Sequence, residues 1–453
     1  MEFPLHIAVN TGSMRERDSN QLLHLIQQTL DDHDVSSLHH LRIASSHQLD
    51  KEPALTVKLE HESTLSEPSS KLQSYTSILD VKHASSANIV SLAAFVAREV
   101  RHIFSEEQTA LSHLLTSSGY TVPNARFSSE SLHALEQRSN RAFKYSPTYH
   151  LTFSLFSGSA TPADWEIQAA LDEYLEPLLQ SLSPISTFTV DTQVQLYASL
   201  SPSLRGPQWQ SENNSWTLFR TDLSGFINAA EWPLSPSIGV GPTINFVLYV
   251  PSEKQRPLTI HETTGTNWLI PQWGGVQILN PSKAQDDKAK LTKEDLYPVI
   301  LTFADQLLSL LAMPPKPASL PLRLNALTRE RTASTMISAS STLGALARLT
   351  LKLTSIAIPD NVASSVSSSL SHLNHACTDL REARYDSALR HARSAEAEAE
   401  KAFFEPSMVG QVYFPDEHKV AVYVPLLGPM AVPLVLAAMK EFKKIRAAKA
   451  ARR

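Results

Sequence analysis

The sequence predicts an α/β fold, a mixed sheet with flanking helices, followed by a helical arm and a C-terminal transmembrane helix. Up to about residue 285, segments with the period of strands alternate with segments of helical period. Helical periodicity alone continues to residue 405, and an uncharged stretch follows. Such alternation indicates strands packed under helices. With 42% hydrophobic and 19% charged residues, the 453-residue chain is typical of globular proteins.

Residues 1–140 are predicted to form the N-terminal α/β part of this domain. Residues 4–9 and 54–59 have the pattern of short strands, and residues 19–31 and 86–115 have apolar positions at helical spacing. The second helix has a continuous apolar stripe, and we expect that stripe to face the sheet. It consists of Ile89, Leu92, Phe95, Val96, Val100 and Ile103.

Residues 141–285 are predicted to form the sheet-rich core of the domain. The run TINFVLYV at 243–250 is almost continuously apolar, as expected of a strand buried on both faces. Seven of the thirteen glycines and five of the six tryptophans lie between Gly206 and Gly275. Further strands are predicted over 147–156, 188–197, 257–260, 267–270 and 275–279, with a helix over 163–182. That helix is expected to bury Trp165, Ile167, Leu171, Tyr174, Leu175 and Leu178.

The segment PQWGG at 271–275 is the most unusual stretch of this core. Gly274 and Gly275 are expected to permit a positive-φ corner or bulge where two strands meet. Pro271 and Trp273 would fill the space beside that corner, either in the core, which we favour, or at a subunit interface. Replacing Gly275 by valine is expected to destabilise the domain or its assembly rather than to remove a chemical step.

Residues 286–405 are predicted to be helical, with helices over 290–311, 340–356 and 360–403. Residues 419–440 are predicted to be a transmembrane helix, because Val420 to Met439 contain no charge over the length that a span requires. A buried C-terminal helix is the alternative interpretation.

The basic tail at 441–453 suggests an orientation for this predicted helix. Positive residues concentrate on the cytosolic side of membrane spans, so we expect a cytosolic C-terminus and a luminal domain. The N-terminus has no signal peptide and no apolar span. We therefore expect the sequence to lack a first membrane helix.

No motif for catalysis, cofactor binding or metal binding emerges. Cys377, the single cysteine, lies two residues after His375, which would place the two side chains on different faces of a helix. GVG at 239–241 continues with Pro-Thr-Ile, and His261-Glu262 is not followed by a second histidine at zincin spacing. The net charge of −5 gives no nucleic-acid footprint. Asn213 begins an Asn-Asn-Ser glycosylation sequon.

Two long stretches of the sequence carry a family resemblance. One is EKAFFEPSMVGQVYFPDEHKVAVYVPLLGPMAVPLVLAAMKEFKK at 400–444; the other comprises NFVLYVPSEKQRPLTI and NWLIPQWGGVQILN within 245–280. Both stretches resemble the PIG-S family of GPI transamidase subunits. The strand–helix–strand order from His150 to Tyr197 is also similar. The resemblance is specific from about residue 145 to residue 444 and looser before it.

The resemblance implies a non-catalytic, membrane-anchored subunit of the endoplasmic reticulum. The family's complex attaches GPI anchors to precursor proteins, and its cysteine nucleophile belongs to a separate caspase-like subunit. The implied partners are that catalytic subunit, PIG-T, PIG-U and a GAA-type subunit. Two alternatives stay open: a single-subunit membrane-bound hydrolase with an unrecognised site, and a membrane tethering protein.

Overall fold

The computed structural model divides the chain into two compact units. One comprises Met1–Ala333 with Asp379–Leu389, and the other comprises Ser334–Thr378 with Arg390–Arg453. The residues that the structure describes are 1–12, 14–32, 38–46, 52–62, 65, 67–84, 88–122, 127–198, 206–219, 221, 223, 241–261, 265–281, 289–352, 358–408 and 416–450. Five sequence features lie at least partly outside them: the first two residues of GVG, Glu262, the predicted helix end at 353–356, residues 409–415 of the stretch at 400–444, and the end of the basic tail at 451–453.

The first unit begins with a five-stranded sheet, here called the first sheet, whose strand order is β2-β1-β3-β5-β4. Its pairs are parallel except for β4 with β5. Helices α1 and α2 pack against each other, and their buried aliphatic side chains join those of the sheet in one core. The bounds are β1 Phe3–Asn10, α1 Glu16–Asp31, β2 His39–Ser45, β3 Leu55–His61, β4 Ser69–Leu72, β5 Ile78–His83 and α2 Ile89–Ser117.

Local signals in the sequence account for the ends and faces of α2. Asn88 caps the helix, because its side chain accepts a hydrogen bond from the Val90 amide. Of the predicted stripe, Leu92, Val96, Val100 and Ile103 are buried. Ile89 and Phe95 are partly buried against the same core, so the expected face of the helix is confirmed.

The second sheet contains the predicted sheet-rich region and has the order β13-β14-β11-β6-β8. Strand β11 lies at its centre, between two parallel neighbours, and is buried on both faces as its apolar run predicted. The bounds are α3 Ser129–Arg141, β6 Thr148–Ser157, β7 Asp164–Trp165, α4 Ile167–Ala170, α5 Glu176–Leu182, β8 Thr187–Gln195, β9 Gln208–Gln210, β10 Ser215–Leu218, β11 Thr243–Val250, β12 Leu258–Ile260, β13 Asn267–Ile270, β14 Gly274–Ile278, β15 Lys290–Leu291 and α6 Lys293–Leu310. A π-helical turn, Leu171–Leu175, joins α4 to α5.

The two sheets share one topology. If the five strands of each sheet are numbered in chain order, their spatial order from one edge to the other is second, first, third, fifth, fourth. The fourth strand, at the far edge, is antiparallel to its neighbour. The first, second, third and fifth strands are parallel in both sheets. The first unit therefore contains the same strand arrangement twice, at β1–β5 and again at β6, β8, β11, β13 and β14.

One face of the second sheet is covered by helices and the other by a smaller sheet. Helices α4, α5 and α6 cover a core that includes Phe153, Phe246 and Phe303. Helix α6 begins at a capping box formed by Thr292 and Asp295. On the opposite face, Phe156, Val247 and Tyr249 pack with residues of the three-stranded sheet β12-β10-β9.

The remaining helices are longer than the sequence predicted in one place and shorter in another. They are α7 Leu320–Lys352, α8 Asp360–Arg381, α9 Tyr385–Phe403 and α10 Asp416–Ala450. The predicted helix at 340–356 begins twenty residues earlier than expected, at Leu320, and the predicted segment at 360–403 is two helices. Within the second unit, small cores form around Leu346, Val362 and Met408 and around Ala339, Ala395 and Ala399.

The predicted transmembrane helix at 419–440 is wrong. Nowhere in the described part of the chain does a helix combine enough length with enough apolarity to cross a membrane. The prediction rested on the absence of charge, and the same stretch contains Pro425, Pro429 and Pro433, each of which removes a backbone hydrogen bond from the helix. The α/β part and the helical C-terminal part of the predicted fold are correct, and the transmembrane part is not.

Candidate functional site

The PQWGG segment forms the turn between the antiparallel strands β13 and β14. Residues 271–273 are the turn, and Ile270 pairs with Gly274 across it. The amide of Trp273 donates to the carbonyl of Ile270 at 3.2 Å. Gln272 has a φ of 54° and its amide donates to the carbonyl of Arg141 at 3.0 Å, which ties the turn to the end of α3. The turn is therefore held on the rest of the first unit through its backbone.

Gly274 lies where two backbones meet. Its φ is +157°, and a Cβ atom built on it would lie 1.8 Å from the carbonyl oxygen of Asn245 on β11. The Asn245 amide donates to the Trp273 carbonyl at 3.0 Å, so this approach forms part of the strand pairing. Only a residue without a side chain fits such a position.

At position 275, a neighbouring helix rather than the backbone angle of Gly275 limits the size of the side chain that fits. A Cβ atom there would lie 1.8 Å from the side-chain oxygen of Gln306 on α6. Gln306 is buried, and its Nε2 donates to the Trp268 carbonyl on β13 at 3.1 Å. Gly275 thus provides the space in which α6 closes over the end of the sheet.

The two other predicted residues of this segment lie in different surroundings. Trp273 is half-buried and packs against the core that includes Val276 and Ile278. Pro271 is exposed. Trp273 therefore contacts the core, and Pro271 lies on the surface.

Asn213 lies in an exposed turn of four residues between β9 and β10. The next residue, Asn214, has a positive φ of 45°, which is typical of asparagine in tight turns. An acceptor asparagine must be exposed on a loop, and Asn213 meets that requirement.

A buried group of polar side chains that no sequence motif indicated lies elsewhere in the first unit. The Arg329 guanidinium donates from Nε to Oε1 of Glu107 at 2.5 Å and from Nη2 to Oε2 at 2.7 Å. His39 Nε2 lies 3.1 Å from the same Glu107 Oε1. All three side chains are almost fully buried, and the Arg329 guanidinium lies 5.0 Å from the centre of the Tyr385 ring. A charge at position 107 on the apolar stripe of α2 was the available signal.

The electrostatics of Glu107 follow from this pairing. Burial would raise the pKa of its carboxyl, but the charge of Arg329 and the contact with His39 outweigh burial and hold the pKa below its ordinary value. Glu107 is therefore an ionised partner of Arg329. Both carboxylate oxygens accept from the guanidinium, so the group acts as a structural connection between α2 and α7.

A second ion pair links α3 to α7. Arg138 Nη2 donates to Glu330 Oε2 at 2.5 Å, with both side chains largely buried. Burial raises the pKa of Glu330 despite the neighbouring Arg138. Helix α7 therefore contacts α2 and α3 through consecutive residues, Arg329 and Glu330.

Cys377 and His375 lie on α8 in the second unit. Cys377 is a half-buried free thiol, and the His375 ring stacks on His391 at 5.1 Å. His372 Nδ1 lies 3.0 Å from His391 Nδ1. Within the described ranges, no group of three or more His, Cys, Asp or Glu residues has the arrangement that a metal ion requires.

The fold and its buried pairs define an α/β protein with two five-stranded sheets, whose buried charged groups connect its helices. The chain belongs to the PIG-S family: it matches "Phosphatidylinositol-glycan biosynthesis class S protein" over residues 1–448. It is similar to the "GPI-anchor transamidase component PIGS" of Bos taurus and that of Homo sapiens, each with 33% identity over 330 residues, 68% of this chain and 59% of the relative. The "GPI transamidase component PIG-S homolog" of Schizosaccharomyces pombe is 31% identical over 328 residues, 70% and 58% of the two chains. The chain thus matches about three fifths of the length of these relatives.

Proposed function

We propose that the chain is a non-catalytic component of GPI transamidase that supports attachment of GPI anchors to precursor proteins at the endoplasmic reticulum. Its membership of the PIG-S family over residues 1–448 carries this proposal, together with the names of its relatives. The matched region includes both five-stranded sheets and the helices that follow them, so we assign the chain as a whole to the complex. The partners that we propose are the caspase-like catalytic subunit, PIG-T, PIG-U and a GAA-type subunit.

The buried ionisable groups of the first unit support an accessory role. A general acid or base must reach a reacting atom. Glu107 is almost fully buried, and both of its oxygens accept hydrogen bonds from Arg329. The carboxylate of Glu330 is held by Arg138. These groups hold helices together, which suits a subunit that presents a rigid surface to other proteins.

Affinity purification tests the assignment to the complex. The full chain, tagged at one end, is expressed in cells that lack the endogenous relative and is purified in mild detergent. We expect mass spectrometry to identify the caspase-like cysteine subunit in the purified sample. We also expect a GPI-anchored reporter to return to the cell surface. A folded chain that recovers no transamidase component and restores no reporter would overturn the proposal.

We further propose that the first unit faces the lumen and that Asn213 is glycosylated there. The support is the exposed turn that carries the sequon. We expect endoglycosidase treatment to shift the mobility of the wild-type chain and to leave the Asn213→Gln variant unchanged. Asn140→Gln is the control, because Asn140 is an exposed asparagine outside any sequon. A shift that persists in Asn213→Gln would contradict the assignment of this residue.

A further inference from the structure

The equivalent edges of the two sheets differ in how their backbone groups are covered. Strands β2 and β8 hold the same position, each pairing with one neighbour. At the β2 edge the side-chain amide of Gln27 replaces a further strand: its Nε2 donates to the Leu41 carbonyl at 3.1 Å, and its Oε1 accepts from the Ile43 amide at 2.8 Å. The β2 edge is therefore partly closed within the chain.

The β8 edge has the opposite character. The Thr187 amide donates to the Pro147 carbonyl at 2.8 Å, so the backbone groups of Thr187 point towards β6. In a parallel pair, the backbone amides and carbonyls of successive residues point alternately towards the partner strand and away from it. The amides and carbonyls of every second residue, starting at Phe188, therefore point away from β6. Among the described residues, no other strand or side chain pairs with these outward groups. They belong to Phe188, Val190, Thr192 and Val194.

The two faces of β8 differ in polarity beside this edge. Val190 and Val194 pair with Leu151 and Leu155 and share their apolar face, yet they are 39% and 40% exposed. The other face presents Asp191, which is exposed and is the only charged residue of the strand. A long β-branched edge with one charge and no proline is the kind that proteins ordinarily protect.

We infer that β8 receives an extended strand from another component of the transamidase complex, which adds a sixth strand to the second sheet. Main-chain hydrogen bonds to the outward groups hold it, as in other cases of strand addition. The added strand has aliphatic side chains at alternate positions against Val190 and Val194, and a lysine or arginine on the other face near Asp191. This inference rests on the proposed function, because that complex supplies the strand.

Charge distinguishes this occupant from a second copy of the chain. Two β8 strands paired antiparallel about Thr192 would place Val190 opposite Val194 of the copy, which suits packing. They would also place Gln193 opposite Asp191, which leaves the carboxylate without a cation. A basic strand from a different protein satisfies both faces of the edge.

Photo-crosslinking in the assembled complex tests the inference. A benzophenone amino acid replaces Thr192 in the tagged full chain, and mass spectrometry maps the crosslinked peptide. We expect a segment of another transamidase component with alternating aliphatic residues and a basic residue on the opposite face. The same probe at Tyr75, which is 86% exposed on the loop before β5, should not crosslink to that segment. A crosslink to a second copy, to lipid alone or to nothing in an intact complex would overturn the inference.

Two variants provide an independent measurement. Thr192→Pro removes one outward amide, and Val194→Lys puts a charge on the apolar side of the edge. We expect each to lower recovery of the component that donates the strand by about tenfold or more. Tyr75→Lys is the matched control, because it also replaces an exposed hydrophobic residue by lysine, and it should leave recovery of that component unchanged. Unfolding curves verify that all variants fold.

The outcomes separate this inference from the proposed function. Failure of the wild-type chain to recover any transamidase component removes the proposed function, and the inference with it. Equal recovery by the wild type and by both β8 variants removes only the β8 assignment. Hydrogen exchange gives a further readout: the amides of Phe188, Val190 and Thr192 should exchange rapidly in the isolated chain and slowly in the complex.

Discussion

The carboxylate of Glu107 on α2 accepts two hydrogen bonds from the guanidinium of Arg329 on α7, a residue 222 positions later in the chain. Both side chains are almost completely buried. A buried charge is costly unless its partner is in place, so this pair makes the packing of α7 against α2 specific.

Replacing Glu107 by glutamine should therefore destabilise the first unit strongly. The change keeps the shape of the side chain and leaves Arg329 buried without its counter-charge, a loss of about 3–5 kcal/mol in the free energy of unfolding. Denaturant unfolding measures it. Glu62→Gln is the matched control, because Glu62 pairs with Lys82 at the surface and should change stability by less than about 1 kcal/mol. Equal effects of the two substitutions would contradict the role of the buried pair.

The same pair predicts a loss of stability in acid. The pKa of Glu107 is lower in the folded chain than its ordinary value of 4.5, so the unfolded chain takes up the proton first. Its contribution is complete above about pH 4.5 and declines as the pH falls below that value. Glu330 acts in the opposite sense, because its pKa is raised and its contribution declines as the pH rises above 4.5. The stability difference between wild type and Glu107→Gln should therefore shrink with falling pH; a constant difference would contradict this.

Gly275→Ala should destabilise the second sheet through Gln306. The new Cβ atom would occupy the place of the Gln306 side-chain oxygen, displace the amide and break its bond to Trp268. We expect a loss of about 1–3 kcal/mol. Shortening the obstructing side chain in Gly275→Ala/Gln306→Ala should cost less than the sum of the two single changes. Strict additivity would show that Gln306 does not limit residue 275.

Gly274→Ala should be more damaging than Gly275→Ala. Its obstacle is the Asn245 backbone, which cannot move without breaking the pairing of β11 with β14. The positive φ adds strain to any residue other than glycine. Because neither the Asn245 backbone nor this strain involves Gln306, no substitution at Gln306 should restore the stability lost in Gly274→Ala. Thermal unfolding of the two alanine variants in parallel measures the difference. A Gly274→Ala protein as stable as the wild type would refute the close approach.

Sequence periodicity located most elements because it reports burial directly. The predicted strand at 243–250 has the observed bounds of β11, and the predicted strand at 267–270 those of β13. The first half of α7 escaped detection for a physical reason. Its buried positions include Thr328, Arg329 and Thr332, so the helix has no continuous apolar stripe. The polar side chains are acceptable there because Glu107 neutralises the arginine and Thr332 bonds to the Thr328 carbonyl.

The uncharged stretch at the C-terminus is a case in which a local pattern gave the wrong prediction. Lack of charge from Val420 to Met439 suggested a membrane span, but the stretch also contains three prolines and one glycine. Among the helices that the structure describes, none qualifies as a span. The absence of charge over twenty residues was therefore not sufficient evidence for a span.

The sequence by itself determined the class of fold, the central buried strand, the faces of the helices and the family resemblance, because each follows from local pattern. Only the tertiary structure decided that one strand order occurs twice and that Glu107 meets Arg329. It alone revealed that Gln27 closes one sheet edge while β8 stays unpaired within the described chain. Those facts depend on contacts between residues far apart in sequence, and periodicity carries no information about which distant partner a buried group will meet.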